Sequence, residues 1–251
     1  MNHITMEVFN EALKKLVQTL EDQEMKNIKE ASKLCYESMK NDGVVHIFGS
    51  GHSVGFGMEC TGRAGSLVPF HMIETSDFVT KGLYSLAEFK DPDNIFERRP
   101  NIADKLYDLY DIRPQDVFII ISNSGINGLV IDLALTAKAK GHKIIIITSM
   151  QHTLAEPSRH PSKKKLYELG DVVIDNCGPR GDALLETGNI EKICSVSSIT
   201  GIYIAQSLTV EISRMFKESG IELPLLYSHE VENHLEHNQE LLAKYKGRIN
   251  A

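Results

Sequence analysis

The chain has no apolar stretch approaching the roughly 20 residues that a membrane-spanning helix needs, so none is expected. Cysteine is sparse. Cys35, Cys60, Cys177 and Cys194 are scattered, with no Cys-x-x-Cys pair, which argues against a disulfide framework and fits reduced core thiols. Basic residues are outnumbered: 27 Lys and Arg face 34 Asp and Glu, for a net charge of -7 and a pI near 5.8. That balance disfavours nucleic acid and anionic membranes, so an anionic ligand has to be held by local geometry. The first residues lack a basic stretch followed by an apolar run, so no secretory signal and a cytoplasmic location are expected. No internal repeat or low-complexity linker divides the 251 residues, which read as one domain with helical extensions.

Several catalytic motifs are also missing. There is no Walker A loop and no Gly-x-Ser-x-Gly elbow. Gly49-Ser-Gly-His-Ser53 fails the dinucleotide fingerprint, because its third glycine would fall at Val54. His229 and His234 are five apart, which turns the second histidine off the face that a zinc metalloprotease helix requires.

What is present centres on Val117–Gly125. An apolar run ends in Ser122-Asn-Ser-Gly125, and an amphipathic segment follows from about 127 to 140. This pattern describes a strand buried on both faces that delivers hydroxyls and unpaired N–H groups to the start of a helix, a setting suited to phosphate. Similar strands are read at 44–48, 66–72, 143–149 and 171–175, and two of them also end in Gly, Ser or Thr: Gly49–Ser53 and Thr148-Ser149. Helical spacing runs from 4 to 40 as one or two helices, from 101 to 110, from 187 to 218, and near 234–244. Residues 74–98 read as a long loop. The alternation predicts an α/β fold, a three-layer αβα sandwich around a parallel sheet, with ligands beyond the strands' carboxyl ends. The boundaries expected are 1–42 for an N-terminal helical extension, 43–220 for the binding domain and 221–251 for a C-terminal tail.

Other polar residues admit two readings. Glu59 is either a general base near a polar cleft or a solvated helix residue, with Arg63 one turn on to pair with it. Ser197 and Ser198 read as packing residues, and Arg159–Lys165, the one basic cluster, either supports an anionic substrate or, the better reading, forms a charged helix start.

Together, Gly49–Ser53, Ser122–Gly125 and Thr148-Ser149 resemble the sugar isomerase (SIS) domain over roughly residues 40–215. The resemblance implies a flavodoxin-like sandwich that binds a phosphorylated sugar. It assigns Ser122 and Ser124 to the phosphate, with Asn123 and Gly125 in the same loop, and Ser50, Gly51, His52, Ser53 and Ser149 to the sugar. Glu59-Cys-Thr-Gly-Arg63 is similar to the Glu-Leu-Thr-Gly-Arg segment of sedoheptulose 7-phosphate isomerases, whose glutamate is a base and a zinc ligand. Gly55 stands where those enzymes have a histidine, and Tyr203 and Glu211 stand where their later helix offers Gln and His ligands, so no metal and no cofactor are expected. Asn127 replaces a threonine near the phosphate loop, as an amide able to cap the helix. The implied chemistry is aldose–ketose isomerisation, with Glu59 taking the proton alpha to the carbonyl and His52 or His237 shuttling a proton across an enediol. An etherase-like lyase and a non-catalytic sensor are the alternatives, and a homodimer or homotetramer is expected.

Overall fold

A computed structural model describes residues 4–249. Its centre is a five-stranded sheet in the order β2-β1-β3-β4-β5, every neighbouring pair parallel. The strands are β1 (Val45–Gly49), β2 (Phe70–Ile73), β3 (Val117–Ile121), β4 (Lys143–Thr148) and β5 (Val172–Asp175). Their side chains alternate between two cores. Ile47, Ile119, Ile121, Ile145 and Ile147 face one side, and Phe48, Phe118, Ile120, Ile144 and Ile146 face the other. With both faces covered, the strands carry continuous Ile and Val runs, and each buried Ile or Phe contributes roughly 1.5–3 kcal/mol.

The first face is covered by α1 (Met6–Lys40), α2 (Val54–Cys60) and the later helix α8 (Ser197–Ser219). α1 is a single helix of 35 residues. The Thr5 hydroxyl accepts the Val8 N–H at its start, and Asn41 and Asp42, the latter at φ 57, end it. Its stripe of Leu16, Leu20, Ile28, Ala31 and Cys35 belongs to the same core as the sheet, so residues 6–40 form part of a layer of the sandwich. The second face is covered by α5 (Ala103–Tyr107) and α6 (Gly128–Ala139). Residues 74–98 contain two single turns, α3 (Asp77–Thr80) and α4 (Leu86–Phe89), around a cluster of Phe78, Tyr84, Phe89 and Phe96. Helix α7 (Met150–Ala155) follows β4, and α9 (His234–Lys244) lies in the C-terminal segment.

Three expectations are corrected. Residues 187–196 are not helical: β6 (Ala183–Glu186) and β7 (Lys192–Ser195) form an antiparallel hairpin, and the helix starts at Ser197. Asp182 sets that start, accepting the N–H groups of Val196 and Ser197 and the Ser197 hydroxyl. The hairpin turns near Gly188, whose φ is 91. The strand expected at 66–72 begins only at Phe70, because residues 65–68 pair instead with Pro224 and Leu226 of the tail. The helix expected at 101–110 is limited to Ala103–Tyr107.

The β1→β2 connection carries α2 on the first face, and the β3→β4 connection carries α6 on the second. The chain therefore leaves two adjacent strands in opposite directions, which opens a crevice between their carboxyl ends.

Candidate functional site

Two loops form the crevice. After β1, Gly49 has no room for a side chain, since a Cβ would lie 2.9 Å from Ser53, and Gly51 sits at φ 58. The single 3-10 turn Gly51–Ser53 then feeds α2, leaving Ser50 and Ser53 half-buried and His52 exposed. After β3, the Ser122 hydroxyl accepts the Gly125 N–H at 3.2 Å and is nearly buried. Gly125 is required twice over: its φ is 62, and a Cβ would fall 2.8 Å and 2.9 Å from the Thr153 and Thr148 hydroxyls. The N–H groups of Ser124, Ile126 and Asn127 find no acceptor among the described residues. The first turn of α6 holds no acidic residue, and the Asn127 side chain does not cap the helix. Its amide donates to Glu97 at 3.2 Å and its oxygen accepts from Arg159 at 2.8 Å. No carboxylate accepts the helix-start N–H groups directly; Glu97 reaches them only through the Asn127 side chain.

The loop after β4 supports rather than lines this crevice. Thr148 Oγ1 and the Ser149 N–H both donate to the Asn123 carbonyl. Ser149 is fully buried; its hydroxyl donates to Gly178 O at 2.6 Å and accepts the His152 N–H at 3.1 Å. It was expected to line the sugar, but both its donor and its acceptor are used by the fold.

On the α2–α8 side the crevice continues into a narrow cleft with an interior volume of about 20 Å³, room for about one water. His52, Ser53, Phe56, Asn123, Asn176 and Ser198 line it. Asn176, at the end of β5, escaped notice in the sequence. Its amide donates to Asn123 Oδ1 at 2.9 Å, so the two side chains form one polar wall. Its position just beyond a strand end was the available signal. Ser197 and Ser198 also reach the cleft, although spacing had assigned them to packing. On the other side of Gly51, a second hollow is lined by Ser50, Thr75, Phe96 and Glu97.

Two expected catalytic residues stand apart. Glu59 is one turn of α2 beyond Phe56 and does not line the cleft. Its carboxylate accepts from Arg63 at 2.6 Å and from the amide of Gln206 on α8. His237 is further removed. It stacks on Tyr227 at 3.8 Å, donates from Nε2 to Leu225 O at 3.0 Å, and lines a separate pocket with Pro224 and Lys244. The tail pairs with residues 65–68, which enter β2 at the end of the sheet opposite the crevice, and this carries His237 away.

The zinc implied for Glu59 by the isomerase resemblance does not fit the residues present. An arginine cation already sits 2.6 Å from that carboxylate. Gly55 offers no ligand one turn earlier. Among the described residues no group of three His, Cys, Asp or Glu side chains is placed to hold a metal.

A five-stranded parallel sheet with helices on both faces and a serine-rich crevice at its switch point defines an αβα sandwich of the sugar isomerase class. The comparisons agree. The SIS domain family model matches residues 8–149, and the chain belongs to that family. A UPF0309 protein of Listeria monocytogenes is 37% identical over 236 residues, covering 94% of this chain and 93% of the other. A UPF0309 protein of Geobacillus kaustophilus is 37% identical over 246 residues, covering 96% of each. Among solved structures, phosphoheptose isomerases share the fold at low identity. The one from Neisseria gonorrhoeae gives a TM-score of 0.54 at 19% identity, covering 83% of this chain and 96% of that one. The one from Francisella tularensis gives 0.53 at 16%, covering 84% and 100%. No helix among the described residues is long and apolar enough to cross a membrane.

Proposed function

We propose that the crevice between Gly49–Ser53 and Ser122–Asn127 binds a phosphorylated sugar and that the protein interconverts its aldose and ketose forms. The observation that carries this reading is the uncapped start of α6 set beside the Ser122–Gly125 turn at the switch point. The sharing of this fold with solved phosphoheptose isomerases supports a sugar phosphate as the ligand class. Ser122, Ser124 and Gly125 with the helix N–H groups take the phosphate, while Ser50, Gly51, Ser53 and Asn123 take hydroxyls, joined by Asn176. Binding energy from the phosphate then orients the reacting carbons. His52, at the cleft wall, moves the proton between the two oxygens of the enediol. Glu59 is the base, for a substrate that extends from the cleft along α2 and displaces the Gln206 amide. Exposed Met58 on α2 and Val210 on α8 leave apolar surface on the same helix pair, which supports the homodimer or homotetramer.

One observation favours a second reading. The Glu59 carboxylate is outside the cleft and already held by two donors, as suits a sensor that binds without turning over. Incubation with a panel of aldose and ketose phosphates in deuterated water, read by NMR, decides between them. Isomerisation with deuterium at the carbon alpha to the carbonyl, lowered about 100- to 10,000-fold in Glu59→Gln, supports the isomerase. Saturable binding without exchange supports the sensor. Turnover at full rate in Glu59→Gln removes Glu59 as base, and lactate release from a phosphorylated muramic acid marks the lyase instead.

A further inference from the structure

One strongly basic group beside the crevice has no role in the reading above. The Arg159 N–H donates to Ile126 O at 3.0 Å, and the Leu166 N–H donates to Gly125 O at 2.9 Å. The basic segment between them is therefore tied at both ends to the loop that opens α6, and it leads into a single 3-10 turn, Leu166–Leu169, capped by Lys165. Lys165 turns away, its ammonium held by Thr153 O at 2.6 Å. Arg159 does not. Its guanidinium donates from Nη1 to Asn127 Oδ1 at 2.8 Å, and Asn127 in turn donates to Glu97. That amide is fixed from both sides, which sets the guanidinium at the cap position of α6, and its other N–H groups find no acceptor among the described residues. Under the same loop, Thr153 is fully buried with an unpartnered hydroxyl directed at Gly125. A buried hydroxyl without a partner is uncommon. An uncapped helix, an idle guanidinium and an orphaned hydroxyl thus surround one short turn.

We propose that Arg159 is a phosphate-binding residue of this crevice, its guanidinium closing over a phosphate monoester dianion seated on the Ser122–Asn127 turn. This rests on the phosphosugar reading and adds its charged contact. Hydroxyls and backbone N–H groups offer only neutral donors, in a chain of net charge -7. Glu97, on the far side of Asn127, disfavours a dianion, and a cation held at Asn127 offsets it. An arginine presents paired donors that match a phosphate, and charge-assisted bonds are about twice as strong as neutral ones.

The test uses the full chain with inorganic phosphate as probe, at low ionic strength, with Kd from calorimetry and Tm from thermal unfolding. Wild type is expected to be stabilised saturably, and more tightly at about pH 8, where phosphate is largely dianionic, than at about pH 5.5. Arg159→Gln is expected to weaken binding about 10- to 100-fold at the higher pH and to lose the preference for the dianion. A purely structural role would lower the unliganded Tm and leave that preference intact. Asn127→Asp is a second variant that keeps Arg159 but pairs it with a carboxylate, and it is expected to lose phosphate likewise. Wild-type phosphate affinity and pH preference in either variant overturn the role of Arg159 and leave the phosphosugar reading standing. No saturable effect of phosphate on wild type overturns both.

Discussion

At the amino ends of β1 and β3 a buried ion pair and buried histidines are tied to one another. At the carboxyl ends of the same strands the polar groups are mostly neutral, half-exposed and partly idle. The first end is organised by Asp116, whose side chain has no solvent exposure. Arg248 from the C-terminal tail donates to both its oxygens at 2.8 Å and 2.7 Å, and His46 lies 3.1 Å away. The N–H groups of Val44 and Arg113 complete the shell. Burial alone would raise the Asp116 pKa, but these donors hold it down at about 2. His46 reaches on to His71 at 2.9 Å, and His142 is held by the Asp116 carbonyl and the Tyr107 hydroxyl. These bonds clamp the tail to the sheet, and the buried Ser38 hydroxyl beside Gly43 is left without a partner. At the other end, the N–H groups of Ser124, Ile126 and Asn127, the Arg159 guanidinium and the Thr153 hydroxyl keep unused hydrogen-bonding capacity. Polar residues at a strand end do not by themselves mark a site; several unspent donors gathered around one turn do.

The comparison is broken most directly at the clamp. Asp116→Ala leaves the buried Arg248 guanidinium only the half-exposed Asp111 carboxylate at 3.7 Å, and is expected to cost about 3–5 kcal/mol, read as a shift in the urea midpoint with unchanged slope. A loss under about 1 kcal/mol would show the network to be as weak as a surface pair. A smaller effect comes from protons. Burial lowers the pKa of His46 and of His142, so both are neutral in the folded protein. The unfolded chain takes up these protons first as pH falls through about 6.5, so stability is full above that value and declines below it. Denaturation between about pH 7.5 and about pH 5.5 checks the sign, and His46→Asn is expected to flatten the slope. Asp116, held at about 2, adds its own loss only at much lower pH. The smallest effect separates support from site. Ser149→Ala removes bonds to Gly178 and His152 and is expected to cost about 1 kcal/mol, with phosphate affinity unchanged. A loss of affinity larger than the loss of stability would return Ser149 to the binding surface.

Much of the fold was legible. The runs Val117–Ile121 and Lys143–Thr148 are too apolar for anything but strands covered on both faces, and their alternation with helical stripes implied the parallel sandwich. The hairpin at 183–195 was missed because four-residue strands carry too few side chains to separate a period of two from a helical one. The loops at Gly49–Ser53 and Ser122–Gly125 were found as strand ends, and the structure brings them together. His237 lies away from the crevice of its own chain because the tail pairs with residues 65–68, which no local pattern announces. Asn176 was read only as a strand end and Arg159 mainly as part of a helix start, because each touches the crevice through a contact with a loop more than 30 residues away in sequence.

Hydrophobic periodicity and turn chemistry are local, since a side chain's face depends on neighbours two to four positions away. The sequence by itself therefore determined the layers of this protein, its strand ends and the hydroxyl-rich character of its loops. Which polar groups are consumed by the fold and which stay available is a matter of hydrogen-bond allocation between distant segments. Ser149 was claimed by Gly178, Glu59 by Arg63 and Gln206, and Asp116 by Arg248, while the start of α6 was left open. That allocation exists only once the sheet and its two faces have assembled, so only the tertiary structure decided it.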